Sequence, residues 1–145
     1  MDINEKLLKS TLNGDLNQVK ECLAQGANVN FNNDEHYSPP IVATAIKGHL
    51  EIAKLLIENG ANVNATSDYG SEKQYYSTAL IESAYKGHLR HLEIAKLLIE
   101  HGADVNAKKC NGWSPLMVAS NRGYMNDPNK QSLAFCKLLI KNGEA

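Results

Sequence analysis

Nowhere in this sequence does an apolar run approach the ~20 residues that a membrane-spanning helix needs. The opening stretch Met-Asp-Ile-Asn-Glu-Lys has no apolar segment of the kind a secretory leader carries, so no signal peptide is expected. An excess of one charge is missing as well. Fifteen Lys and Arg face 16 Asp and Glu, interleaved along the chain, for a net charge of −1. Neutralising a phosphate backbone takes a surplus of Lys and Arg on one face, so no nucleic acid is expected as partner. An anionic membrane surface is excluded on the same ground. Cysteine is scarce: Cys22, Cys110 and Cys136 are odd in number and widely spaced. That is a poor disulfide framework and fits a reducing compartment. The expected location is the cytoplasm, or a host cytosol into which the chain is delivered.

The usual signatures of chemistry are absent too. There is no Gly-rich phosphate loop, no Gly-x-Ser-x-Gly elbow and no His-Glu-x-x-His. No Cys-x-x-Cys pair suggests zinc. Cys22 and Cys136 read as small core residues, and Cys110 as a residue of a loop tip. Carboxylates such as Glu51 and Glu93 recur at matching positions, as residues of a solvated face do, and none has a reason to share a proton. The expectation is a protein that is not an enzyme and needs no cofactor or metal.

What is present is repetition. With 145 residues, 43% of them hydrophobic, the chain can build one domain with a real core. One phrase returns almost unchanged: Gly26-Ala27-Asn28-Val29-Asn30, Gly60-Ala61-Asn62-Val63-Asn64 and Gly102-Ala103-Asp104-Val105-Asn106, with a further start at Gly143. Ahead of it comes an apolar stripe at helical spacing, as in Leu50-Glu51-Ile52-Ala53-Lys54-Leu55-Leu56-Ile57 and again in Leu92 to Ile99. A second marker lies further upstream, at Gly14-Asp15-Leu16, Gly48-His49-Leu50, Gly87-His88-Leu89 and Gly123-Tyr124-Met125. Each marker glycine suits a left-handed helix end, where a Cβ would be strained. Asn111-Gly112 signals a tight turn, and Ser114-Pro115 a helix start with Ser as cap and Pro in the first turn.

A unit of helix, turn, helix and hairpin with a period of about 33 residues resembles the ankyrin repeat. The resemblance covers nearly the whole chain and implies an all-α solenoid of helix-turn-helix units joined by hairpin-like fingers. It divides the single domain 1–145 into units 1–30, 31–64, 65–106 and 107–145. Helix pairs are predicted at 4–13 and 16–24, 41–47 and 50–58, 79–86 and 92–100, and 115–122 and 132–141. Ankyrin helices usually open Thr-Pro-Leu-His. Here Pro39-Pro40-Ile41-Val42, Thr78-Ala79-Leu80-Ile81 and Ser114-Pro115-Leu116-Met117 stand in that place, so apolar packing is expected where the His would bond. Extra residues fall within 68–77, around Leu89-Arg90-His91 and within 124–131, and are expected in exposed loops. His49 and His88 recur before the second helix and read as structural. His36, His91 and His101 are scattered and read as exposed.

The two ends differ. Gln18 and Glu21 in the first unit replace the Ile52 and Leu55 of the second, which suits a polar cap. Ile140 keeps the interior pattern of Ile57 and Ile99 at the other end. It is expected to stand partly exposed, with Met117 beside it, unless 124–131 covers it.

The resemblance implies binding of another protein through the concave face. Its variable positions map to Ile46 and Lys47, Tyr85 and Lys86, and Asn121 and Arg122 at the ends of first helices. In the fingers they map to Asp34, His36, Tyr37, Tyr69, Tyr75, Tyr76, Lys108, Asn111 and Trp113. Five of the six Tyr and the one Trp fall in this set, and such side chains dominate binding hot spots. For Tyr37 and Trp113 local packing is the competing reading. The alternative function is architectural: self-association through the C-terminal end, or a place within a longer repeat array. The resemblance also puts Asn64 and Asn106 where animal asparaginyl hydroxylases act on ankyrin repeats.

Overall fold

The computed structural model describes residues 2–32, 38–67, 76–109, 111–124 and 131–143, with residues 122–124 described through their backbone alone. Among these residues the chain forms eight helices and one small sheet. The helices are α1 (Ile3–Asn13), α2 (Leu16–Ala24), α3 (Pro40–Lys47), α4 (Leu50–Glu58), α5 (Ala79–Lys86), α6 (Leu89–Glu100), α7 (Pro115–Tyr124) and α8 (Gln131–Lys141). Strands β1 (Thr66–Ser67) and β2 (Ser77–Thr78) pair antiparallel, Thr66 opposite Thr78 and Ser67 opposite Ser77. The all-α solenoid of helix pairs expected from the sequence is what forms.

Local chemistry sets the helix bounds. Asp2, Asp15 and Thr78 cap α1, α2 and α5 by accepting the N–H of Asn4, Gln18 and Ile81. Ser114 does the same for α7 through the N–H of Met117 at 3.3 Å. Second helices end in a repeated double bond. The glycine N–H reaches back to Leu23, Ile57 or Ile99, and the next alanine N–H to Cys22, Leu56 or Leu98. First helices α1, α3 and α5 end at left-handed Gly14, Gly48 and Gly87. In the fourth pair α7 instead continues through Gly123 to Tyr124, two residues past the predicted end.

The helices stack as two rows. First helices α1, α3, α5 and α7 touch in order, and second helices α2, α4, α6 and α8 run behind them. The first-helix row is the more closely packed, with several small buried residues that allow close approach: Thr11, Ala43, Ala45, Ala79, Ser83, Ala84 and Ala119. Between the rows lies a continuous core that includes Leu7, Val19, Ile41, Ile52, Leu56, Leu80, Ile94, Leu98, Phe135 and Leu139. Val42 and Ile81, standing in place of the ankyrin His, are buried as expected, whereas Met117 is half exposed. Cys22 is a core residue. Cys136 is only half buried, with its sulfur 3.6 Å from Ser120 Oγ, so the sequence expectation of a core cysteine holds for the first and not the second.

At the N-terminal end Glu21 is exposed, and Gln18 is held by Ser10 Oγ at 2.8 Å, as suits a polar cap. At the other end Leu133, Ile140 and Met117 are exposed by 53%, 60% and 50%.

Candidate protein-interaction face

The residues predicted to bind a partner sit at two kinds of place: the last turn of a first helix, and the segment that leads into one. Lys47 ends α3 and is exposed. Its neighbour Ile46 is half buried against the core and offers only part of its surface. Tyr85 and Lys86 end α5. Tyr85 is 58% exposed, and the Lys86 ammonium stands 5.7 Å from its ring centroid, a cation–π contact. Asn121 on α7 is exposed. Among the leading segments, Tyr76 is exposed just before β2, whose Ser77 and Thr78 are buried. Lys108 and Asn111 are exposed, and the Asn111 side chain accepts the Trp113 N–H at 3.0 Å. Trp113 lies under the Lys109 ammonium at 5.9 Å and remains at the surface, so it is not a core residue. Tyr37, Tyr69 and Tyr75 lie outside the described residues, as do Asp34, His36, Cys110 and the Arg122 side chain.

A ladder of asparagines that sequence reasoning did not find ties successive units together behind the second helices' ends. Within each Gly-Ala-Asn-Val-Asn phrase the first Asn or Asp accepts the N–H of the second: Asn28 from Asn30, Asn62 from Asn64, Asp104 from Asn106. The second Asn then spans to the next unit. Asn30 accepts the Asn62 N–H at 2.8 Å and donates to the Gly60 carbonyl at 3.4 Å. Asn64 repeats this on Asp104 and Gly102, at 2.7 and 3.1 Å. Asn106 reaches the Gly143 carbonyl at 3.5 Å. The Asn amide carries both the acceptor and the donor this bridge needs, on two separate atoms. The recurrence of Asn at one position was the available signal.

The structure corrects the histidine assignments. His49 and His88 share a motif but not a place. His49 packs on the helix-ending glycine of the preceding unit: a Cβ on Gly14 would stand 2.8 Å from its ring. Its Nε2 lies 3.4 Å from the Leu12 carbonyl. In the third unit His91, not His88, fills this role, with its Nε2 3.2 Å from the Cβ position of Gly48. His88 is exposed, and His91, expected at the surface, is only 4% exposed. The three extra residues do not loop out either. They add a first turn to α6, which begins at Leu89 rather than 92. Three residues nearly complete a turn of 3.6, so the helix absorbs them with little rotation.

Burying His91 has an electrostatic consequence. Burial itself, and then the like charge of His88, lower its pKa from 6.5 to about 4, with Arg90 and Lys86 adding to the effect. The Ile46 backbone carbonyl, a hydrogen-bond acceptor for the ring, opposes this lowering by more than Arg90 or Lys86 adds to it. Lys47, His88, Leu89, Arg90 and His91 line an open groove of about 420 Å³. Among the described residues no three His, Cys, Asp or Glu gather as metal ligands, and no helix is long and apolar enough to cross a membrane.

Comparison with known proteins agrees with this architecture. The family profile described as ankyrin repeats (3 copies) matches residues 7–109 and 67–145. The chain belongs to the ankyrin repeat family. It is 33% identical over 76 residues to Arf-GAP with coiled-coil, ANK repeat and PH domain-containing protein 2 of Rattus norvegicus, a match covering 52% of this chain and 10% of that protein. The Homo sapiens protein of the same name is 32% identical over 76 residues, with the same coverage of each chain. An ankyrin repeat and KH domain-containing protein of Caenorhabditis briggsae is 31% identical over 136 residues, 91% of this chain and 5% of that one. The chain thus spans a tenth or less of the length of these relatives. Ankyrin repeats are in general protein-interaction modules and non-enzymatic scaffolds.

Proposed function

We propose that this chain is a single repeat domain, with units 1–30, 31–64, 65–106 and 107–145, that binds a partner protein through its first-helix face and the fingers beside it. The observation that carries the proposal is the exposure of Tyr85 at the end of α5, with Tyr76 also at the surface three residues before that helix. Large amphipathic rings at a surface bury much area on binding at low entropy cost. The closer packing of the first-helix row supports curvature toward that side, which makes it the concave one. Lys47, Lys86, Lys108, Asn111, Trp113 and Asn121 add polar and aromatic surface, and Ile46 contributes its open edge. Tyr37, Tyr69, Tyr75 and Arg122 complete the proposed set. The cytoplasm, or a host cytosol, is the proposed site of action.

The test is affinity capture from lysate with the wild-type chain, followed by measured binding of the captured protein to a Tyr76→Ala/Tyr85→Ala variant. Loss of about 30-fold in affinity, near 2 kcal/mol, is expected with the melting temperature unchanged. Full affinity in the variant would sink the proposal.

A second reading, association of copies or of further repeats at the C-terminal end, rests on the exposed Leu133, Ile140 and Met117. A sedimentation profile independent of concentration would remove the association of copies.

A further inference from the structure

We propose that Asn111-Gly112, at the tip of the hairpin leading into α7, is a site of spontaneous deamidation and isoaspartate formation, and the first of the chain's four Asn-Gly steps to react. The others are Asn13-Gly14, Asn59-Gly60 and Asn142-Gly143. In each, the glycine nitrogen is the nucleophile that closes a five-membered ring on the Asn side chain, and the missing Cβ leaves it unhindered. The dipeptide is the same four times, so what separates the four is the fold.

The backbone does not discriminate. Each glycine has positive φ and donates its N–H three residues back, to Thr11, Ile57, Lys109 or Ile140. The side chains differ. Asn59 and Asn142 donate their Nδ2 to the carbonyls of Leu55 and Leu138, four residues earlier, at 2.8 and 2.7 Å. Those bonds fold the amide back along the helix, away from the glycine nitrogen. Asn13 is the last residue of α1, where side chains lean toward the helix N-terminus, and the His49 ring covers Gly14. Asn111 is turned the other way. Its Oδ1 accepts the N–H of Trp113, two residues later, at 3.0 Å. A side chain makes that bond by folding forward across the Gly112 peptide, which brings Cγ toward the attacking nitrogen. Its Nδ2 donates to nothing among the described residues, so the leaving group is not held.

The reaction balances with water alone. Gly112 N bonds to Asn111 Cγ, the Cγ–Nδ2 bond breaks, and ammonia leaves with the proton that the glycine nitrogen gave up. Water then opens the cyclic imide at one of its two carbonyls. Opening at the side-chain carbonyl gives aspartate. Opening at the main-chain carbonyl gives isoaspartate, whose backbone is longer by one methylene. No electrons are transferred. The Trp113 N–H sits where it stabilises the negative charge that forms on Oδ1 as the nitrogen attacks. Ring closure also requires Asn111 to leave its turn. That hairpin is closed by two backbone bonds, Gly112 N–H to Lys109 and Lys109 N–H to Trp113, at 2.8 and 3.0 Å, and its tip is exposed, so it opens locally. The other three steps close helices packed into the stack. Either product places a carboxylate beside Lys108 and Lys109. The proposal leans on the interaction reading, which includes Asn111 and Trp113, only for the effect on a partner; the reaction itself needs none.

The folded full chain is held at mildly alkaline pH for days, and samples are cleaved after Lys and Arg, which puts the four steps on separate peptides. Mass spectrometry reads the exchange of amide for acid in each peptide. Methyl transfer by a protein isoaspartyl methyltransferase reads isoaspartate. Asn111 is expected to convert about five-fold or more faster than Asn59 or Asn142, the factor set by the side-chain hydrogen bond each of those must first break. In urea the four rates should draw together. Asn111→Gln, whose longer side chain cannot close a five-membered ring, should remove the early isoaspartate signal. Equal rates in the folded chain, earlier conversion at Asn13, Asn59 or Asn142, or an Asn111 that reacts in urea but not when folded would overturn the proposal. The outcome of the capture experiment with Tyr76 and Tyr85 has no bearing on these rates.

Discussion

Asn64 accepts the backbone N–H of Asp104 at 2.7 Å, across 40 residues of sequence. With its donor on the Gly102 carbonyl at 3.1 Å, one amide ties the second unit to the third twice. Net contributions per hydrogen bond are about 0.5–1.5 kcal/mol, and these groups are exposed, so the lower half of that range applies to each. Asn64→Ala is expected to cost roughly 1–2 kcal/mol in denaturant unfolding. Asn64→Asp should cost less, since it keeps the acceptor but places a carboxylate against the Gly102 carbonyl. An unchanged midpoint in the Ala variant would show that the ladder adds no stability.

The contact of His49 with Gly14 sets a second expectation. Gly14 and Gly60 both have positive φ, +75° and +90°, so alanine is strained at either by about 1 kcal/mol or more. At Gly60 nothing lies within 4 Å of the new Cβ, whereas at Gly14 the His49 ring stands 2.8 Å away. Gly14→Ala should therefore destabilise the chain more than Gly60→Ala, because the ring must also shift. Equal losses in chemical denaturation would show that the histidine yields freely.

The pH dependence follows from His91. Its folded pKa, about 4, lies below the ordinary 6.5, so between those values the unfolded chain binds the extra proton. Stability contributed by the neutral ring is complete above about pH 6.5 and falls as the pH drops toward 4. The loss is on the order of 2–3 kcal/mol. His91→Ser should flatten this part of the stability curve. Parallel curves for the two proteins between pH 4 and 7 would assign the acid sensitivity elsewhere.

Leu133 and Ile140 are seven residues apart on one stripe of α8 and both exposed, as Leu92 and Ile99 share one stripe of α6 and are buried or half buried. Ile140→Lys should stay within about 0.5 kcal/mol of wild type, as surface changes do. Ile99→Lys at the matching position should cost several times more, because its side chain packs against the core. Thermal melts of the two variants decide this, and a large loss for Ile140→Lys would mean its face is covered.

The helix bounds were legible because their causes are local. The marker glycines, the capping Asp and Ser residues and the apolar stripes act within a turn or two of where they stand, and α2, α4 and α5 begin and end where the pattern puts them. The polar substitutions Gln18 and Glu21 and the exposed Ile140 were legible for the same reason, since comparing units position by position needs only the repeat. His91 was misread because His-Leu occurs twice, in Gly87-His88-Leu89 and in His91-Leu92. The useful signal was its spacing to Leu92-Glu93-Ile94-Ala95-Lys96, the same as that of His49 to Leu50. What only the tertiary structure decided is what each such residue touches in the neighbouring unit. The three-residue insertion extends α6 with its Arg90 and His91 lying over Gly48, and the second Asn of each phrase bonds a backbone more than thirty positions away. Those partners are distant in sequence, so nothing local to the insertion or to the asparagines could have announced them. Stacking the units supplies the contacts, and the contacts then determine which turn forms and which ring is buried.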